Sequence, residues 1–321
     1  MPSADTMQVR VRSVTWEAQG VLALELVAVD GRNLPPFTAG AHVDLFLPSG
    51  LVRSYSICND QDEQHRYVIG VNRDANSRGG SRYLHEVLRA GDTLTVSHPR
   101  NNFPLNEDAA DSLLISGGIG ITPLLAMVRR LEKLGRAWRL YYCSRTRKSA
   151  AFLGELRALS GEHPDRITYN YDGDRGGKLL NLAAVISSAG PDTHLYCCGP
   201  LPMLEAFEQA ASLRPPSTVH VEYFAAKESP SLEGGFEVEL AKSGRTVNVP
   251  AGKSILDTLL DVGIQVPYSC MEGVCGSCET RVLAGLPDHR DLILGTEEKA
   301  ANKTMMICCS GSKGSRLVLD L

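Results

Sequence analysis

Cys270-Met271-Glu272-Gly273-Val274-Cys275-Gly276-Ser277-Cys278 sets three cysteines in the pattern C-x4-C-x2-C, and Cys308 follows much later. This is the ligand spacing of a plant-type [2Fe–2S] cluster. Each iron takes two thiolates besides the bridging sulfides, so a tight loop offers three sulfurs and a distant strand the fourth. Gly273 and Gly276 stand where backbone has to approach the sulfides and point N–H groups at them. A zinc site with four cysteines is the other reading, but it more often joins two C-x2-C knuckles, and only one occurs here. The stretch predicts a centre that moves electrons singly.

Upstream of this loop, Phe236–Leu240 and Arg245–Val249 flank the turn Lys242-Ser243-Gly244 and read as a hairpin. Ser254–Val262 reads as a helix with a serine cap and apolar Ile255, Leu259 and Val262. Hairpin, helix and cysteine loop make a compact module over 236–321. Residues 227–235, Lys-Glu-Ser-Pro-Ser-Leu-Glu-Gly-Gly, have the composition of a polar linker.

Between about 105 and 226 strands alternate with helices: Leu113–Ile115, then Pro123–Leu134, Arg139–Cys143, Ala151–Leu159, Ile167–Tyr171, His194–Cys198, Met203–Ala211 and Thr218–Glu222. Such alternation predicts a parallel sheet covered by helices. Ser116-Gly117-Gly118-Ile119-Gly120-Ile121-Thr122-Pro123 joins the first strand to the first helix. Glycines at such a turn let backbone pass close to a pyrophosphate, and Pro123 costs no donor in the first helical turn. The stretch is not G-x-G-x-x-G, because Pro123 takes the place of the third glycine. A tight strand–helix turn without a ligand is the plainer alternative. Cys197-Cys198-Gly199-Pro200 is a second open turn at a strand's C-terminal end, the edge where open parallel sheets bind ligands. Cys198 is therefore a candidate beside a transferring hydride, against the alternative of a buried cysteine without chemistry. Asp172, in Asp172-Gly173-Asp174-Arg175, follows the strand Ile167–Tyr171; a carboxylate there suits a free ribose hydroxyl and so NADH rather than NADPH.

From about 8 to 103 the chain reads as short strands, Val9–Val14, Val21–Val29, His42–Leu47, Tyr67–Val71 and Thr93–Ser97, with one helical stretch at Ser81–Leu88. That pattern predicts a small antiparallel barrel. Arg53-Ser54-Tyr55-Ser56 offers a cation, an aromatic ring and hydroxyls at a strand end. Arg78-Gly79-Gly80-Ser81 is a fitting phosphate anchor. The two motifs reinforce each other, since one isoalloxazine–phosphate molecule needs both.

A chain of 321 residues suits roughly two or three domains, and a formal charge of −4 argues against a nucleic-acid partner. No apolar run is long enough to span a membrane, and Met1-Pro2-Ser3-Ala4-Asp5 lacks the pattern of a signal peptide. The nine cysteines then read as reduced thiols and metal ligands, with the cytoplasm as the expected location.

Taken in order, these motifs resemble the phthalate dioxygenase reductase family, which includes vanillate demethylase reductases. The likeness runs from about residue 8 to the C-terminal Leu-Val-Leu-Asp-Leu. It implies an FMN-binding barrel of the ferredoxin-reductase type over 1–104, an NADH-binding α/β domain over 105–226 and a plant-type ferredoxin over 236–321. It implies electron supply to a Rieske-type non-haem iron oxygenase acting on an aromatic compound. By the match, Arg53, Ser54, Tyr55, Ser56, Arg78, Gly79, Gly80 and Ser81 would hold FMN, with Thr122 and Phe224 near its ring. Val71-Asn72-Arg73 matches a further flavin-contacting stretch, although Asn72 stands where a basic residue is common. Gly117, Gly118, Gly120, Cys198, Gly199, Pro200 and Asp172 would serve NADH, and Ser56 and Cys198 the hydride step. The family's Cys-x-Ser pattern selects Cys308 over Cys309. A monomer is expected. The residues themselves leave open an FAD-containing reductase for another monooxygenase or a desaturase, and a plain electron carrier.

Overall fold

The computed structural model describes residues 6–75, 77 and 79–321; the N-terminal stretch 1–5 and Arg78, both read above, lie outside them. The chain packs into two compact units, one ending at Glu222 and one spanning Tyr223–Leu321.

The first unit opens with β1 (Thr6–Ala18), β2 (Val21–Ala28), β3 (His42–Phe46), β4 (Val52–Ser56), β5 (Tyr67–Asn72), α1 (Gly80–Glu86) and β6 (Thr93–Ser97). Val9 and Val11 of β1 are buried while Arg10 and Arg12 are exposed, the period-2 signature of a half-buried strand. The strands form an antiparallel six-stranded sheet in the order β4-β3-β6-β1-β2-β5. Its two edges meet through an Ile57–Ile69 bridge and a Cys58 N–H to Val68 carbonyl bond of 2.8 Å, which closes the barrel. Over Val52–Ser56, β4 pairs with β3 alone.

Next come β7 (Asp111–Gly117), α2 (Ile121–Lys133), β8 (Ala137–Ser144), α3 (Leu153–Ser160), β9 (Ile167–Tyr171), α4 (Leu182–Ser187), β10 (His194–Cys198), α5 (Leu201–Ala210) and β11 (Val219–Glu222). They build a parallel sheet, β11-β10-β7-β8-β9. The strand order reverses between β7 and β10, so the crevice outside their C-terminal ends is the topological switch point. From Ser112 onward β7 is buried throughout, as a strand covered on both faces must be. α3 begins at Leu153, two residues later than the sequence predicts, because buried Phe152 adopts φ 59, outside the helical region. Ala18, Val21, Ala23, Ala39, Cys58 and Phe103 from the barrel segment join the core of this sheet, which welds the two parts into one unit.

The second unit contains β12 (Phe236–Leu240), β13 (Arg245–Val249), α6 (Ile255–Asp261), β14 (Glu279–Ala284), β15 (Pro287–Asp288), α7 (Thr296–Ala301), β16 (Thr304–Met306), β17 (Gly311–Ser312) and β18 (Arg316–Leu319). The main sheet is mixed, β13-β12-β18-β14-β16, with the β12–β18 pair parallel. Ser254 caps α6 by accepting the Asp257 N–H at 3.1 Å, and Ile255, Leu256 and Leu259 fill the core beneath. The stretch 227–235 forms no helix or strand; Ser231 N–H donates to the Cys309 carbonyl at 2.8 Å and Arg290 pairs with Glu228 at 3.2 Å. Antiparallel barrel, parallel α/β layer and ferredoxin-like module are all present. Among the described residues no helix is long and apolar enough to cross a membrane.

Candidate active site and cluster loop

The two glycine turns predicted from the sequence meet at the switch point, backbone against backbone. A methyl group on Gly117 would lie 2.6 Å from Pro200 Cδ and 2.7 Å from Met203 Sδ. One on Gly120 would lie 2.2 Å from the Cys198 carbonyl oxygen, and one on Gly199 3.1 Å from Gly117 Cα. Gly118 takes φ 55 with open space around it. This crevice has the bare backbone that a pyrophosphate needs. Asp172 follows β9 at the edge of the same sheet, half-buried, its N–H on the Ser144 carbonyl at 3.2 Å.

Cys198 is buried at the end of β10 and lies across from Glu222 in register with β11. Its thiol donates to Glu222 Oε2 at 3.9 Å. Burial pushes the Glu222 carboxyl up from 4.5 to about 8, a shift the Cys198 thiol partly offsets, and it holds the Cys198 thiol well above the ordinary range. Although Glu222 keeps some surface as a residue, its carboxyl is enclosed. The sequence reading overlooked this acid; its one signal is a carboxylate closing a short strand opposite a cysteine turn. The native protein holds this proton until about pH 8, whereas an unfolded chain releases it from about 4.5, so this group makes stability fall as pH rises through that window. Glu222→Gln is expected to remove the fall. Relative to wild type the variant should gain about 5 kcal/mol between the two ends of the window, read as thermal unfolding against pH. A parallel pH dependence in both proteins would refute the assignment.

On β4, Arg53 donates to the Val52 carbonyl at 2.7 Å and lies over Gly80, where an added methyl would sit 2.8 Å from Arg53 Cγ. Gly79 takes φ 110, and Ser77 Oγ organises the turn, accepting from Gly79 N–H at 3.2 Å and from Ser81 Oγ at 3.0 Å. Ser54 is turned elsewhere: its hydroxyl donates to Asp44 Oδ1 at 2.6 Å, and Asp44 is itself paired with Arg100. Tyr55 packs on the barrel core, and burial raises its phenol above the usual range. Ser56 Oγ is buried without a hydrogen-bond partner among the described residues. A buried hydroxyl rarely stays unpaired, so this atom is free to meet a ligand or a neighbouring side chain. Val71 is buried with its carbonyl on His85 Nε2 at 3.0 Å, and Arg73 is paired with Glu86 at 2.7 Å. Thr122 Oγ1 donates to the Ile119 carbonyl at 3.0 Å, and its methyl fills the space left by Gly70 on β5, so β5 and the glycine turn are in direct contact. Phe224 is exposed and belongs to the second unit. Free edge, unpaired hydroxyl and glycine cradle together fit a flavin.

In the cysteine loop Met271, Gly273 and Gly276 all take positive φ, 57, 70 and 76. The non-glycine Met271 marks local strain of the kind found at functional sites. The thiols gather as couples: Cys275 is drawn down to about 6, first by the hydrogen bond its thiolate takes from Cys270, and Cys270 is raised correspondingly. Cys308 is raised, first by its bond to Cys278. The Glu272 N–H points at Cys270 Sγ, 3.3 Å away. Among the described residues no three Cys, His, Asp or Glu are placed to hold a single ion. Two thiols for each of two irons is the donor set of a [2Fe–2S] cluster, whereas zinc would draw four onto one centre. Cys309 bonds to Cys308 and also donates to the Met306 carbonyl at 3.7 Å.

A family model described as a 2Fe-2S iron-sulfur cluster binding domain matches residues 238–312, and one described as an oxidoreductase NAD-binding domain matches residues 114–209. The phenoxybenzoate dioxygenase subunit beta of Ectopseudomonas oleovorans is 53% identical over 324 residues, 100% of both chains. The phthalate dioxygenase reductase of Burkholderia cepacia is 40% identical over 317 residues, 98% of this chain and 97% of its own. A solved phthalate dioxygenase reductase, described as a modular structure for electron transfer from pyridine nucleotides to [2Fe-2S], superposes with a TM-score of 0.75 at 39% identity over 98% of each chain. Likeness at this level runs the full length of the chain and through both matched domains. The chain therefore belongs to the phthalate dioxygenase reductase family: it is an oxidoreductase with an NAD-binding domain and a [2Fe–2S] domain.

Proposed function

We propose that the protein takes a hydride from NADH onto FMN and passes single electrons through the [2Fe–2S] cluster to a Rieske-type oxygenase acting on an aromatic compound. In this reading residues 1–104 hold FMN, 105–226 hold NADH, 227–235 link, and 236–321 hold the cluster through Cys270, Cys275, Cys278 and Cys308. The flavin supplies the chemistry of accepting a pair of electrons and releasing them one at a time. The chain supplies placement. Arg53, Gly79, Gly80 and Ser81 hold the phosphate end, together with Arg78. Tyr55, Ser56, Val71, Arg73 and Thr122 frame the ring, and Ser54, through Asp44, fixes the strand beneath it. Gly117, Gly118, Gly120, Gly199 and Pro200 would bring backbone to the pyrophosphate of NADH, and Cys198, small and buried, would leave the nicotinamide room to lie against the flavin. The protein works as a cytoplasmic monomer.

The four cysteines Cys270, Cys275, Cys278 and Cys308, all inside the stretch that matches a 2Fe-2S cluster binding domain, carry this reading, because such a centre passes electrons singly. Its test is the visible spectrum without air, before and after NADH. Flavin and iron–sulfur bands that both bleach support it, as does FMN on acid extraction. A colourless protein, or zinc in place of iron, overturns it; extracted FAD replaces only the flavin assignment. Asp172→Ala is expected to lower kcat/KM for NADH by roughly 10–100-fold, the value of a hydrogen bond to a charged group, while NADPH gains. Unchanged selectivity would free Asp172 from that role.

A further inference from the structure

His42 lies directly opposite Ser56 in the β3–β4 ladder. The N–H groups of His42 and Asp44 run away from β4, to the Arg100 carbonyl and to Ser97 Oγ, while Ile57 N–H donates to the Ala41 carbonyl. The His42–Ser56 rung is therefore a non-hydrogen-bonded pair, whose side chains share one face and approach most closely. One rung along that face, Ser54 Oγ reaches across to Asp44 Oδ1 at 2.6 Å. On the His42–Ser56 rung neither end is closed. His42 and Ser56 are 5% and 4% exposed, and His42 Nε2 and Ser56 Oγ both lack a partner among the described residues. Unpaired buried polar atoms are rare, and here two belong to residues opposite each other on one rung, not yet bonded to one another.

We propose that His42 is a positioning residue for flavin reduction: its imidazole and the Ser56 hydroxyl form one hydrogen-bonding rung that aims the hydroxyl at the edge of the flavin ring. This rests on the flavoprotein reading above. A serine hydroxyl has one proton to donate and lone pairs to accept, so a partner behind it decides where that proton points. Burial lowers His42 to about 4 against the opposing pull of Asp44, with Arg100 adding to the fall, so the imidazole is neutral and carries both a donor and an acceptor. Neighbouring Asp44 is already engaged by Ser54 and Arg100, which leaves the imidazole for Ser56.

The test is a double-mutant cycle on the full-length holoprotein with His42→Leu, Ser56→Ala and their combination. The readouts are the FMN dissociation constant, the flavin midpoint potential and the rate of flavin reduction by NADH. His42→Leu is expected to slow reduction roughly 10–100-fold and to shift the potential in the Ser56 background, yet to have no further effect once Ser56 is alanine. His42→Asn, which keeps a hydrogen-bonding group, is expected to recover most of the loss. Equal effects of His42→Leu in both backgrounds, or no effect with flavin bound, overturn the proposal. If His42→Leu does not fold, His42→Met carries the same cycle. A wild-type protein that binds no flavin overturns the flavoprotein reading itself, whereas bound flavin with independent effects removes only His42.

Discussion

Cys308→Ala is expected to abolish the [2Fe–2S] cluster, while Cys309→Ala leaves it in place. The two thiols are adjacent in the chain, yet they meet different surroundings. Cys308 lies between Cys278 and Cys309, bonds to both and takes the Gly273 N–H, so it is the thiol that reaches Cys278. Cys309 donates to the Met306 carbonyl and lies under Gly273, where a methyl would come 2.5 Å from its sulfur. Outer partners of metal ligands are typically worth 10–100-fold in affinity or activity, and a ligand itself at least the upper end, so about 100-fold or more should be lost. The measurement is protein-bound iron with the electron paramagnetic resonance signal of the reduced protein. Reduction of ferricyanide by NADH, which can draw on the flavin directly, should persist in Cys308→Ala. Loss of the cluster in Cys309→Ala with retention in Cys308→Ala would reverse the ligand assignment.

Gly120→Ala is expected to open the nucleotide crevice. The added methyl would lie 2.2 Å from the Cys198 carbonyl oxygen, 2.5 Å from its carbon and 2.8 Å from Gly199 N, all backbone atoms. No side chain can swing aside, so one turn has to leave the other. Overpacking of this kind costs about 1–3 kcal/mol of stability, and a misplacement near 1 Å costs about 100-fold in reactivity. Thermal unfolding and the NADH dependence of flavin reduction should both worsen. Gly118→Ala is the comparison: nothing lies within 4 Å, and only its φ of 55 opposes a side chain, a penalty of about 1–2 kcal/mol. If the two variants behave alike, the contact between the turns is not what shapes the crevice.

Much of the site is local and so was readable. Cys270, Cys275 and Cys278 lie within one loop, and their spacing alone limits what they can ligate. The turn Gly117–Pro123 and the Ser254 cap are likewise contained in a few consecutive residues. Phe152 shows where local reading ends: the pattern carries the helix back to Ala151, but burial of the ring forces a left-handed residue and a later start.

From sequence alone came the cluster loop, the strand–helix alternation, the glycine turns and the flavin-strand motif, because each depends on periodicity or on backbone freedom within a short window. Tertiary structure alone set Glu222 against Cys198, Asp44 under Ser54 and His42 opposite Ser56. Those are relations between segments far apart in the chain. Strand register decides them, and register is set by which faces the whole unit buries, not by the residues that come to face one another.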